Sequence, residues 1–214
     1  MSKSTRESTI KAARARREPG SAATVKRNQV VEKAAELFDA AGYHSTGVAD
    51  IAAAAGISKP TLYHYFAGKD EILFWIHEEF MDELIARQEK RARISMPPSA
   101  CILELMSDML EMTETRPGVR VFHEHLRELR DDQQQLVRDK RERYQNLVED
   151  VIREGVASGE LRALDPRLAT LALFGMVNWA YQWFRPDGPL GSREIAYSFW
   201  DIFVKGLAAE GKLR

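Results

Sequence analysis

From Thr24 onward, apolar side chains recur three and four residues apart, and a glycine or proline closes each run. That rhythm matches the 3.6-residue turn of an α-helix. Val30, Val31, Ala34, Leu37, Phe38 and Ala41 make the first stripe, and Gly42 stands where such a helix would stop. Thr46 is placed to cap a short second helix carrying Val48, Ile51, Ala52 and Ala55, which Gly56 breaks. Ser58 caps a third, with Pro60 in its first turn, where a missing N–H costs nothing, and with Leu62 and Phe66 four apart on one face. Gly68 ends it, and a long helix starts near Lys69. Further on, Pro97-Pro98, Pro117-Gly118, Gly159, Asp165-Pro166 and Pro186-Asp187-Gly188 divide the periodic segments. No run alternates with period two over a useful length, so the chain is predicted to be all-α, with about nine helices and no strands.

At 214 residues the chain can form one compact unit, or two small ones sharing a core, without disulfides. Cys101 is the sole cysteine, so neither a disulfide framework nor a paired-cysteine metal site is expected, which fits a reducing cytoplasm. The net charge of −1 is unevenly placed. Within residues 1–24, six cations (Lys3, Arg6, Lys11, Arg14, Arg16, Arg17) face only Glu7 and Glu18, and the remainder is mildly acidic. Such a chain suits contact with phosphate at one end only. The leading residues finish Glu18-Pro19-Gly20-Ser21 and read as a flexible arm or a plain solvated tail. No apolar stretch or small-residue cleavage site follows the basic start, so no secretory leader is expected. The longest charge-free run, Leu168 to Phe184, contains Thr170, Asn178 and Gln182 and is shorter than the ~20 apolar residues that span a bilayer, so it reads as a helix buried on both sides.

Three short helices over residues 25–67 leave a core of Phe38, Val48, Ile51, Leu62 and Phe66, with Ala54-Ala55-Gly56-Ile57 as the tight turn. The other face of the third helix carries Lys59, Thr61, Tyr63, His64 and Tyr65. These groups donate to phosphate oxygens and touch base edges when a helix N-terminus enters the major groove, and the helix dipole at Ser58 and Lys59 favours phosphate there. In an anonymous three-helix bundle the same rings would serve as packing. The string is more specific than that. Ala41-Gly42-Tyr43-His44-Ser45-Thr46-Gly47-Val48-Ala49-Asp50-Ile51-Ala52, then Ala55-Gly56-Ile57-Ser58-Lys59-Pro60-Thr61-Leu62-Tyr63-His64-Tyr65-Phe66 and Gly68-Lys69-Asp70-Glu71-Ile72-Leu73, resembles the N-terminal domain of the TetR family almost position for position.

The resemblance implies an N-terminal three-helix helix-turn-helix domain and a C-terminal helical ligand-binding and dimerisation domain. The implied division is a basic arm over 1–23, a DNA-binding domain over 24–70 and a sensor over 71–214. It implies a homodimeric repressor whose two recognition helices read a pseudo-palindromic double-stranded operator. Carried over, Lys59, Pro60, Thr61, Tyr63, His64 and Tyr65 face DNA, and Thr46 and Lys69 sit where the family meets backbone phosphates. Many members have a cation on the second helix where this chain has Ala49, so one contact is expected to be missing. The basic arm could compensate through the minor groove or flanking phosphates.

In the C-terminal part, Ile195, Phe199, Ile202, Phe203 and Leu207 make one stripe on the last helix. With the helix from Leu168 it can form a four-helix bundle across a two-fold axis, so Phe199, Ile202 and Phe203 are expected at a dimer interface. Asn178, Trp179, Gln182 and Trp183 mix large rings with amides, as ligand pockets do, although satisfied cores look the same. The stretch Phe174-Gly175-Met176-Val177-Asn178-Trp179, then Trp183-Phe184-Arg185-Pro186-Asp187-Gly188, together with Gly155, Gly159-Glu160-Leu161-Arg162 and Asp165, is similar to the sensor domain of TetR-type regulators that respond to acyl-CoA thioesters. An acyl chain would then lie near Phe122, Asn178, Trp179, Gln182 and Trp183. Arg120, Arg127 and Arg130 of an upstream helix, with His123 beside Arg127, form a cationic row that could meet CoA phosphates or simply face solvent. The alternative effector is a hydrophobic drug-like or aromatic molecule, as for a repressor of an efflux system.

No cofactor or metal is expected. His123 and His125 are two apart, about 200° around a helix, and cannot hold one ion together. Gly206 to Lys212 imitates a phosphate loop, but Leu213 replaces the needed hydroxyl and no strand precedes it. No catalytic constellation stands out, which argues against an enzyme.

Overall fold

The computed structural model describes residues 22–207, so the basic arm and Gly206-to-Lys212 motif of the sequence reading fall wholly or partly outside the described residues. Within them the chain forms nine α-helices and two 3₁₀ turns and no β-strand. The first three are α1 (Ala22–Ala41), α2 (Val48–Ala54) and α3 (Lys59–Tyr65). Val30, Ala34 and Phe38 of α1 meet Ile51, Leu62 and Phe66 in a closed core, as the periodicity predicts. The turns that separate them need backbone that only glycine adopts readily: Gly42 has φ +87° and Gly56 φ +63°. The cap of α2 differs from expectation. Gly47 is the N-cap residue, and its N–H donates to the Asp50 carboxylate at 2.8 Å. Thr46 instead turns its hydroxyl back on the residue that ends α1, donating to Gly42 O at 2.9 Å.

The long helix α4 (Lys69–Arg91) follows, about 35 Å at 1.5 Å per residue. It leaves the DNA-binding unit and becomes the spine of the remaining bundle, with Ile72 to Glu78 buried all round. Around it lie α5 (Pro98–Thr115), α6 (Val119–Glu124), α7 (Asp131–Ala157), α8 (Pro166–Asn178) and α9 (Ser192–Leu207). Apolar packing holds them, and a few ion pairs set register. Arg87 of α4 reaches Asp108 at 2.8 Å and Glu111 at 3.0 Å on α5, and Lys140 of α7 reaches Glu78 of α4 at 2.8 Å. Asp165 caps α8, its carboxylate accepting from the N–H groups of Arg167 and Leu168, which explains the sharp start after Leu164. No helix of the described residues is long and apolar enough to cross a membrane.

Two expectations fail here. The helix expected to carry Arg120, Arg127 and Arg130 in one row ends at Glu124; a 3₁₀ turn (Leu126–Glu128) follows, and Arg130 is already the N-cap of α7. The apolar run from Leu168 is helical only to Asn178, after which Trp179–Gln182 tightens into 3₁₀ geometry.

Candidate DNA interface and ligand cavity

The third helix presents the face that the sequence assigns to DNA. Leu62 is fully buried, while Ser58, Lys59, Pro60, Tyr63 and His64 are exposed and Thr61 and Tyr65 half-buried. Ser58 accepts from the Thr61 N–H at 3.2 Å, and the two hydroxyls lie 2.7 Å apart, so the N-terminal turn is fixed before any partner arrives. Thr46 and Lys69 do not join this surface as free donors. Thr46 is buried and its hydroxyl is engaged. Lys69 Nζ donates to Tyr43 O at 2.8 Å and Thr46 O at 3.1 Å and sits over the Tyr43 ring, 4.2 Å from its centroid. Both residues brace the loop between α1 and α2, which sequence alone does not distinguish from a phosphate contact.

A cavity of about 200 Å³ opens between α4, α5, α6, α7 and α8. Its apolar wall includes Met81, Leu84, Met109, Phe122 and Phe174, and its polar groups are His123, Arg141, Tyr144, Gln145 and Asn178. Phe122 and Asn178, both expected near a ligand, line this cavity. Trp179, Gln182 and Trp183 do not: the 3₁₀ turn rotates them outward, Trp179 to 62% exposure, and Gln182 Nε2 donates to Glu124 at 3.2 Å. Arg127 lies exposed on its own 3₁₀ turn, and Arg130 pairs with Asp70 at 2.5 Å.

Arg141 is the cation that sequence reasoning missed. It occupies the stripe Val137, Arg141, Tyr144, Val148, Ile152, whose other members are buried, so a charge in an apolar row was the available signal. Its Nη2 donates to Phe122 O at 2.8 Å and its guanidinium lies over the Phe122 ring, 4.6 Å from the centroid. Its Nε has no partner, nor does the Tyr144 hydroxyl. Burial alone pulls the Arg141 pKa down, yet a guanidinium stays charged at neutral pH. Burial, and then Arg141, push His123 down to about 4, so it faces the cavity as a neutral imidazole. Burial likewise raises the Tyr144 phenol, which stays protonated as a donor. The cavity thus offers a half-buried cation, a hydroxyl and a neutral imidazole to an acceptor-bearing guest.

Helix α6 joins this cavity to the DNA-binding unit. Phe122 and His123 line the cavity; at the other end of the helix the Gly118 N–H donates to the Asp39 carboxylate of α1 at 2.5 Å. Gly118 has φ +89°, and a Cβ there would lie 3.0 Å from the Ala35 Cβ and 3.2 Å from Ile76 Cγ2, so the backbone approaches α1 as closely as sterics permit. The His125 ring, at the helix end, sits 5.2 Å from that of Tyr43.

Outside the cavity, α8 and α9 leave an apolar surface. Leu168 (66% exposed), Leu171, Ala172 and Gly175 make a stripe on α8, and Ile202 (65% exposed) stands on α9. Phe199 is half-buried against Trp183, ring centroids 6.0 Å apart. Phe203, expected at the interface, is only 7% exposed and belongs to the chain's own core, because it turns inward with Ile195 and Ala196.

A helix-turn-helix unit whose first helix is tied to the wall of a cavity in the helical bundle behind it defines a class, the ligand-responsive DNA-binding regulators. Comparison with known proteins gives the family. The family model described as bacterial regulatory proteins, tetR family, matches residues 30–75, and the tetracyclin repressor-like C-terminal domain matches residues 97–207. The chain belongs to the TetR family of transcriptional regulators. It is 26% identical over 185 residues to the HTH-type transcriptional repressor KstR2 of Mycolicibacterium smegmatis, covering 85% of this chain and 90% of that one. Among solved structures, AibR in complex with isovaleryl coenzyme A and operator DNA is similar at TM-score 0.75 and 25% identity, covering 83% of this chain and 97% of that one. FadR from Bacillus subtilis in complex with stearoyl-CoA is similar at TM-score 0.71 and 26% identity, covering 84% and 98%.

Proposed function

We propose that this chain is a homodimeric repressor of a pseudo-palindromic operator and that an acyl-CoA thioester with a compact acyl group releases it. One observation carries the effector class: the half-buried Arg141 guanidinium, whose buried Nε has no partner, beside the unpartnered Tyr144 hydroxyl on a largely apolar cavity. Leaving such groups unpaired costs several kcal/mol, and a thioester carbonyl can accept from both. The cavity is smaller than the roughly 300–1,000 Å³ of drug-sized sites, which favours a short or folded acyl group. Relatives that bind isovaleryl-CoA and stearoyl-CoA support the class without choosing the member. The exposed α8–α9 stripe supplies the dimer contact.

A guest that presses on Phe122 and His123 moves α6, whose two flanking residues hold the DNA-binding unit: Gly118 bonds Asp39 of α1, and His125 packs on Tyr43 of the loop after it. The two recognition helices of a dimer must lie about 34–36 Å apart to enter successive major grooves, so a small tilt of each unit disengages both. Tenfold release requires about 1.4 kcal/mol of differential affinity between the two states. The test is operator binding against a panel of thioesters of varied acyl length. One acyl-CoA, but neither free CoA nor the free acid, should lower operator affinity at least about tenfold. A panel with no effect, alongside release by a neutral aromatic compound, would instead give the repressor a drug-like effector.

A further inference from the structure

The geometry points to a divalent transition-metal site, Zn²⁺ foremost, formed by His44, His125 and Glu128 at the seam between the DNA-binding unit and the sensor. One ligand atom from each residue lies within 4.8 Å of the other two. His44 Nε2 and Glu128 Oε1 are 3.4 Å apart, close to the edge of about 3.3 Å that two ligands span on a tetrahedral zinc with bonds near 2.0–2.1 Å. The His44 side chain is 68% exposed, and its ring stands edge-on to that of His125, centroids 5.5 Å apart. Two imidazoles and a carboxylate are the donor set zinc takes in open sites, with water in the fourth position.

The backbone under the three donors is held from both sides. Lys69 bonds the carbonyls of Tyr43 and Thr46, which flank the residue pair carrying His44. The 3₁₀ turn after α6 brings Glu128 over His125, its N–H donating to His125 O at 3.1 Å, because residues three apart eclipse in that geometry. The Tyr43 ring forms an apolar floor, 5.3 Å from the His44 ring and 5.2 Å from that of His125. Sequence spacing discards His123 and His125 as a pair, and rightly, since His123 turns to the cavity; the partner for His125 comes from eighty residues away in the chain. Bound metal would pin the α1–α2 loop to the end of α6, the element that links cavity and DNA-binding unit.

Calorimetric titration of the tag-free, chelator-treated full chain with ZnCl₂ tests this directly. One zinc per chain should bind in the micromolar range or tighter. His44→Ala, His125→Ala and Glu128→Gln should each weaken it by at least about tenfold, whereas His64→Ala, an exposed histidine on α3, should not. Zinc should also raise the melting temperature of the wild type and leave that of His44→Ala unchanged. Melting curves without zinc that coincide for wild type and variants exclude misfolding as the cause. Binding only at millimolar zinc, or undiminished binding in His44→Ala, overturns the site; it would then be a histidine–carboxylate ion pair and nothing more. Neither result depends on which effector the cavity takes.

Discussion

Arg141 stands in line with Val137, Tyr144, Val148 and Ile152, and no carboxylate among the described residues offsets its charge. Placing it there costs stability in the free protein and leaves affinity for an acceptor in reserve. Arg141→Leu should therefore keep or raise the melting temperature of the free chain, at roughly 2–4 °C per kcal/mol, and lose the thermal shift given by the effector. A variant that melts several degrees lower and still responds would assign Arg141 to structure. His77 makes a second residue-scale prediction. Burial first, then Arg141, His123 and His125, depress its imidazole from 6.5 to about 3, and neither ring nitrogen has a partner. The unfolded chain binds the extra proton between those values, so this contribution is whole above pH 6.5 and declines as pH falls toward 3. The decline reaches about 1.4 kcal/mol per pH unit, or about 2 kcal/mol by pH 5. Chemical unfolding at pH 7 and pH 5 should show His77→Phe losing less than the wild type; equal losses would remove His77 as a source of acid sensitivity.

At the scale of elements, the proposed function rests on α3 for DNA and on α6 for coupling. Lys59→Ala and Tyr63→Phe should each weaken operator binding by about 1–3 kcal/mol while leaving the melting curve in place, and wild-type binding should fall steeply with salt. Unchanged affinity in both would move the DNA contact off α3. The helix-turn-helix was legible in the sequence because its stops, caps and apolar spacing are local: Gly42, Gly56, Ser58 and Pro60 each act within a turn of themselves. Of the cavity lining, the sequence reading named Phe122, His123, Phe174 and Asn178. Trp179 and Trp183 continue the same apolar run, and nothing local announces the shift to 3₁₀ geometry that turns them outward. The bonds of Lys69 and Thr46 within the loop were not legible for a related reason, since their partners, the carbonyls of Tyr43, Leu37 and Gly42, exist as a set only once the loop has closed. His44 meeting His125 is longer-range still.

For the whole molecule, the exposed stripe on α8 and α9 predicts how the chain assembles. Leu168→Glu and Ile202→Asp place charge where the partner would bury it, so each should give folded monomers that no longer bind the full operator. Phe203→Asp should instead collapse the fold, because that ring is inside the chain. Sedimentation with circular dichroism separates the two outcomes, and a folded Phe203→Asp monomer would reverse the assignment of faces. A last consequence follows from the brevity of α6. Six residues are too few to stay helical alone. The helix persists because α1 grips one end and the cavity wall packs against its face. Any substitution in residues 119–124 that reshapes the cavity for a new guest also alters the grip on α1. On the proposed reading, guest preference and strength of silencing are therefore coupled at residues 119–124, and lineages that reshape the cavity there should be found to have readjusted Asp39, Tyr43 or Gly118.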